Sequence, residues 1–171
     1  MRTVDIETSF GKVTISPIPA IVQAELYKIS NYPTIPMEVV TGLGGTEALP
    51  VRPGTQEYEQ YIKAVAEADE RRRLLTIAAA IGLGVKRWKV GSEPECDSVP
   101  DNWQIPPEYE SISLSARLKP TPPVTPEVLR RADYLLIEVI TSPGDLNTVI
   151  PAVLGTVSES DVQSAERLFR S

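Results

Sequence analysis

The placement of proline and glycine constrains the fold of this chain more than any other feature of its sequence. The 171 residues include 16 prolines, yet residues 55–81 contain neither proline nor glycine. Proline removes a backbone donor and fixes φ, whereas a run without proline or glycine can continue a helix. Apolar side chains recur near one helical face of this run, and Thr55 can cap its start. The sequence therefore predicts a long helix that begins at Thr55 and ends at Gly82.

This long helix is expected to be the spine of the fold. At 1.5 Å per residue, about 26 helical residues span about 39 Å, which exceeds the width of a small domain. Tyr58, Ile62 and Val65 lie near its apolar face. We expect these three side chains to serve the core rather than a partner protein.

A hairpin, a short helix and then a second hairpin or an extended arm are predicted before the long helix. Alternation of apolar and polar residues around Ser9-Phe10-Gly11 indicates a β-hairpin within residues 2–17. Helical spacing of apolar residues predicts a short helix over about residues 20–30. Residues 37–41 and 47–52 flank a glycine cluster, and they would form a second hairpin or an extended arm.

Three short helices are predicted near the C-terminus. Thr125-Pro126 is a capped start with proline at the first helical position. Ser142-Pro143-Gly144-Asp145 ends this helix and starts a second one, which Pro151 should bend or shorten. Ser158 can cap a third helix.

A proline-rich and acidic segment separates these helical regions. Residues 90–126 hold eight of the 16 prolines, and six acidic residues occur between Val90 and Ala116 without any Lys or Arg. We expect residues 90–124 to form a linker or arm without regular structure, because prolines interrupt it throughout.

The expected fold class is α+β, mainly helical. It comprises an N-terminal hairpin and long-helix region over residues 1–89, the acidic segment over 90–124, and a C-terminal group of three short helices over 125–171. We expect the C-terminal region to pack with residues 55–85 as one compact unit.

The residue types present disfavour most catalytic and metal chemistry. The chain has no histidine and a single cysteine, Cys96, so the usual thiol–imidazole pair cannot form. The acidic residues lack the spacing of a calcium-binding loop. The glycine cluster at 42–45 lacks the Lys-Ser/Thr of a phosphate-binding loop. We expect no catalytic residues, no metal and no cofactor. An enzyme built from carboxylates, Lys, Tyr or Ser remains the alternative.

The net charge of −6 disfavours nucleic acid or an anionic membrane as the main partner. The longest apolar stretch, residues 74–85, is interrupted by Thr76, Gly82 and Gly84, so we expect no membrane span. The N-terminal residues have no apolar region typical of a signal peptide. These features, with the lone cysteine, favour a protein of a reducing cytoplasm.

Arg71-Arg72-Arg73 could bind an anionic partner, and Arg72 is a candidate partner-binding residue. The alternative is a solvated helix face on which these arginines pair with acidic residues of the same helix. Glu67 with Arg71, and Asp69 with Arg73, have the i,i+4 spacing of ion pairs worth about 0.2–0.5 kcal/mol each. We favour the self-paired face.

The acidic segment contains two aromatic residues that could bind a partner. Trp103 and Tyr109, with Glu108 and Glu110, could lie along a partner's groove. Alternatively, the segment is a solvated tether with Trp103 packed on its own domain. In the first case, Trp103→Ala should weaken partner binding with little loss of thermal stability.

The C-terminal sequence resembles tail assembly chaperones and related small tail-module proteins of long-tailed bacteriophages and prophages. The likeness is carried by ADYLLIEVI at 132–140, SPGDLNTVI at 142–150 and the segment 157–169. Upstream, the Pro33-Thr34-Ile35-Pro36 arm and the charged helix from Glu57 are also similar to these proteins. The likeness covers residues 33–85 and 125–169.

The resemblance implies a non-enzymatic protein of tail morphogenesis. Proteins of this family coat the tape-measure protein until tail-tube subunits polymerise around it. The expected partners are therefore the tape-measure protein and tail-tube or other virion subunits, in the host cytoplasm. The family has no catalytic residues to carry over.

A second interpretation is a permanent virion component of the tail, neck or capsid surface. Such a protein would clamp neighbouring subunits through extended arms, and the long acidic segment suits it. Self-association into a homo-oligomer is compatible with both interpretations.

Overall fold

The N-terminal residues form the predicted hairpin and short helix. The computed structural model describes residues 2–155. Strands β1, Val4–Thr8, and β2, Gly11–Ile15, pair antiparallel. Helix α1 follows at Ala20–Ile29, beginning directly after Pro19. The hairpin and the helix confirm the sequence prediction.

The second hairpin is also present, as a separate two-stranded sheet. Strand β3, Met37–Gly42, pairs antiparallel with β4, Gly45–Pro50, in a register that sets Val39 opposite Ala48. The glycine cluster thus forms a hairpin turn, as expected from its lack of a phosphate-loop pattern.

The predicted long helix is α2, Gln56–Gly84. The Thr55 hydroxyl accepts a hydrogen bond from the Tyr58 backbone N–H at 3.3 Å, which satisfies one free donor of the first turn. Burial on α2 begins at Ala68 and becomes continuous towards its C-terminal end. Ile62 is 44% exposed, and Tyr58 and Val65 are only half-buried. Placing Ile62 in the core was therefore wrong, because the core covers mainly the C-terminal half of α2.

Helix α2 leads directly into a strand that was not predicted from the sequence. Strand β5, Val85–Val90, pairs antiparallel with β2, which gives the sheet order β1-β2-β5. Val85 and Trp88 are both buried although they do not alternate, because the register shifts between Thr14 and Ile15. This irregular burial, with three charged residues between apolar ones, removes the period-2 signal of a strand.

The segment after β5 contains short regular elements rather than none. A single 3₁₀ turn occupies Pro107–Tyr109, and helix α3 spans Leu114–Arg117. The buried Asp133 carboxylate accepts hydrogen bonds from the Leu114 and Ser115 backbone N–H groups at 2.7 and 3.1 Å. The acidic segment is thus fastened to the helix that follows it.

Two further helices complete the described fold. Helix α4, Pro126–Tyr134, is capped by Thr125 as predicted, and it runs into a π-helical turn at Leu135–Val139. Helix α5, Pro143–Leu154, continues past Pro151. The third predicted helix, from Ser158, lies outside the described residues. None of the described helices is long and apolar enough to cross a membrane.

The core forms where α4 and α5 approach α2 closely. A Cβ added to Gly82 would lie 2.5 Å from the Val128 carbonyl oxygen of α4. A Cβ added to Gly84 would lie 2.1 Å from Val153 Cγ1 of α5. Helix α2 therefore continues to Gly84 instead of ending at Gly82, since Gly82 serves close packing rather than a left-handed cap.

We expect Gly82→Ala to destabilise the protein by about 1–3 kcal/mol, because the Val128 backbone cannot easily move away from the added methyl group. Gly144→Ala in α5 is the matched control. Its Cβ would meet only the Ser142 hydroxyl, at 3.6 Å, so its effect should be within about 1 kcal/mol and could be stabilising. Chemical denaturation of both variants measures the difference. Equal effects would contradict the close packing described above.

Candidate protein-binding surfaces

Two arginines of α4 hold the acidic segment against the fold. The Arg131 guanidinium donates hydrogen bonds to the carbonyl oxygens of Val85 and Lys86, at 2.8 and 3.0 Å, and to that of Asp97. It also lies over the Trp88 ring, with Cζ 4.9 Å from the ring centroid. Burial lowers the pKa of Arg131 from its usual value. Arg131 thus joins the start of β5 to the acidic segment through backbone acceptors rather than through an ion pair.

Trp103 is anchored in the same way. Arg130 donates hydrogen bonds to the carbonyl oxygens of Pro100 and Trp103, both at 2.9 Å. The Trp103 ring packs edge-on against Tyr134, with centroids 5.2 Å apart, and its Nε1–H donates to Glu138 at 3.1 Å. Burial raises the pKa of Tyr134. Trp103 is therefore half-buried on its own fold rather than freely exposed.

The five predicted partner-binding residues do not converge on one site. Trp103 and Glu110 line a shallow cavity of about 410 Å³ with Arg130, whereas Tyr109 lines a separate apolar groove of about 210 Å³. Glu108 is exposed in the 3₁₀ turn. Arg72 is exposed and lies elsewhere, with its guanidinium 5.0 Å from the Tyr27 ring centroid. Their role in partner binding stays a prediction.

The predicted ion pairs of the arginine run were wrong. Arg73 pairs with Glu70 at i,i+3, at 2.7 Å, rather than with Asp69. Asp69 instead accepts a hydrogen bond from the Tyr32 hydroxyl at 2.6 Å. Arg71 donates to the Ser30 carbonyl oxygen at the end of α1 rather than pairing with Glu67. Partners distant in sequence thus replace the local pairs of Asp69 and Arg71, whereas Arg73 exchanges one local partner for another, and the energies of such local pairs are small.

Asp133 and Cys96 are the buried or reactive groups that could suggest an enzyme, and the contacts of both belong to the fold. Asp133 is 2% exposed, and besides the two backbone N–H groups it accepts a hydrogen bond from the Ser115 hydroxyl at 2.5 Å. Cys96 is exposed, and its backbone pairs with that of Trp88. Within residues 2–155, no three potential metal-ligating side chains of Cys, Asp or Glu come together.

The β3–β4 hairpin offers a different kind of surface. We call residues 37–50 the arm. Its strands hydrogen-bond to each other in a sheet of their own, and every residue of β4 is exposed. Both outer strand edges are without a further strand in the described part of the chain. Free strand edges present unpaired N–H and C=O groups that can pair with another chain.

The arm also exposes an apolar face. Side chains alternate across a strand, so Met37 and Val39 share one face with Ala48 and Pro50 opposite them. Met37 is 53% exposed and Val39 is 71% exposed. Leu43, at the turn, is fully exposed. The sequence predicted a hairpin or an extended arm here, but the predicted partner-binding residues were placed in the acidic segment and on α2.

Known proteins give no indication of what these surfaces bind. No protein-family model matches the chain, and no curated protein or solved structure is significantly similar to it.

We expect Trp103→Ala to lower the free energy of unfolding by about 1–2 kcal/mol. The variant loses the Tyr134 contact, and it removes the ring over which the Arg130 guanidinium lies, with Cζ 5.8 Å from the ring centroid. Phe10→Ala is the control, since Phe10 lies 54% exposed in the turn between β1 and β2 and should change stability by less than about 0.5 kcal/mol. Thermal melts of both variants make the comparison. An unchanged melting temperature for Trp103→Ala would favour the partner-anchor prediction instead.

Proposed function

We propose that this protein is a non-enzymatic assembly protein of bacteriophage tail morphogenesis, and that it binds other tail proteins through the arm. The observation that supports this proposal best is the two-stranded arm with free edges and exposed apolar side chains. An isolated two-stranded hairpin is at best marginally stable in water, so a third strand or an apolar surface from a partner would stabilise it. The phage context is supported by the sequence resemblance alone.

The arm has features suited to strand addition. A partner strand could pair with either free edge and gain backbone hydrogen bonds, while its side chains meet Met37 and Val39. The net charge of −6 would keep the free protein in solution and oppose indiscriminate association of apolar surfaces. The proposed partners are the tape-measure protein and tail-tube subunits, with a second copy of this chain as another acceptor of the arm.

Two forms of this function make different demands on the arm. A transient chaperone of the tape-measure protein would release its partner when the tube polymerises, whereas a permanent virion component would keep neighbouring subunits clamped. The projecting arm favours the clamp, because extended arms suit a lasting contact between subunits. Mass spectrometry of purified particles separates the two forms: a stoichiometric amount in virions supports the clamp, and presence only in lysate with the tape-measure protein supports the chaperone.

We expect the double variant Met37→Asp/Val39→Asp to fold normally but to bind its tail-protein partner at least about thirtyfold more weakly. A loss of this size, about 2 kcal/mol, is typical of a central interface residue. Ile21→Asp is the matched control, because Ile21 is 72% exposed but lies on α1 rather than on the arm. Pull-down and calorimetry with purified tape-measure and tail-tube proteins measure the effect. Full binding by the arm variant would refute the arm as the interface.

A further inference from the structure

A cavity of about 310 Å³ lies between the end of α1, the middle of α2 and the segment that follows α3. Three cationic side chains line it, namely Arg71, Arg117 and Lys119. Leu75 and Leu118, both almost fully buried, provide apolar wall. Among the residues that the structure describes, no carboxylate lines the cavity. This composition is unusual in a chain whose net charge is −6.

The cations of this cavity are only partly neutralised. Glu70 is shared, since its Oε1 accepts hydrogen bonds from Arg117 at 3.0 Å and from Arg73 at 2.7 Å. Half-buried Arg71 donates to the Ser30 carbonyl oxygen. Over the described residues, neither Arg71 nor Lys119 has a carboxylate within ion-pair distance. The cavity thus carries a local excess of positive charge.

The ligand class follows from these donors. Guanidinium groups present several N–H donors in a plane and bind carboxylate or phosphate oxygens in pairs, while an ammonium group adds a point charge. The apolar part of the wall, which Leu75 and Leu118 provide, strengthens such contacts because a low-dielectric surface beside a cleft focuses the field of the cations. The volume is at the lower limit of small-molecule sites, so it suits a small ion or one anionic group of a larger molecule.

We propose that this cavity is an oxyanion-binding site, in which Arg71, Arg117 and Lys119 hold a carboxylate or phosphate group. The group could belong to a free small anion or to an acidic residue or C-terminus of a partner chain. Its binding would tie α2 to the end of α3 and the residues that follow it through one shared counter-ion. This proposal does not depend on the arm or on the phage context.

The test is a titration of the full chain with inorganic phosphate, and separately with succinate and with a short acidic peptide, at constant ionic strength. Backbone chemical shifts of Asn31, Lys119 and Thr121 report occupancy of the cavity. We expect a saturable change for at least one of the three probes. Tighter binding of the peptide would identify a partner chain as the source of the anionic group, and tighter binding of phosphate or succinate would identify a free anion.

Lys119→Gln should weaken this binding by about tenfold, since it removes one charge-assisted contact. Lys63→Gln is the control, because it makes the same charge change at an exposed position of α2 that does not line the cavity. Lys119 is itself exposed, so the variant should fold, and a melt without added anions verifies this. The absence of a saturable change with every probe, or equal weakening by both substitutions, would overturn the proposal.

Discussion

The close approach of α4 and α5 to the C-terminal half of α2 is the contact on which the rest of the structure depends. Gly82 lies against the Val128 backbone, and Gly84 lies against the Val153 side chain. Ala78, Ala79 and Ala80 are fully buried in the same turns. Small residues let helices pack at short distance, where dispersion contacts are dense and no void remains. The sheet is positioned by this contact, since β5 begins at the residue after Gly84.

A second constraint is the satisfaction of backbone acceptors in the proline-rich segment. Proline has no N–H, so a segment rich in proline has more carbonyl acceptors than local donors. Arg130 and Arg131 of α4 provide side-chain donors to the carbonyl oxygens of Asp97, Pro100 and Trp103. This explains how a segment without regular ladders stays packed, and why its own acidic side chains are not needed as ion-pair partners for these two arginines.

The main core of α2, α4, α5 and the three-stranded sheet, here called the body, is stabilised differently from the arm, and this difference bears on function. The body is held by buried apolar side chains on α2, α4, α5 and the three-stranded sheet. The arm is held by hydrogen bonds between its own two strands and keeps its apolar face in solvent. A rigid body with an exposed ribbon suits a protein that joins other proteins. The sequence predicted partner binding by the acidic segment. In the structure this segment packs against α4, where Arg130 and Tyr134 contact Trp103.

The sequence by itself determined the elements whose signals are local. The run without proline or glycine specified α2, Thr55 and Thr125 specified helix starts, and alternation around Gly11 specified the first hairpin, because capping and turn geometry depend on neighbouring residues. The glycine cluster at 42–45 left the next segment open as a second hairpin or an extended arm. Only the tertiary structure decided that β5 is a strand, that Ile62 is exposed, and that Arg71 and Arg73 leave their i,i+4 partners. The strand, the exposure of Ile62 and the Arg71 contact depend on residues far apart in the sequence, whereas Arg73 pairs with Glu70 of the same helix. The oxyanion cavity also forms only in the tertiary structure, because Arg71 of α2 meets Arg117 and Lys119 only when the end of α3 has packed against α2.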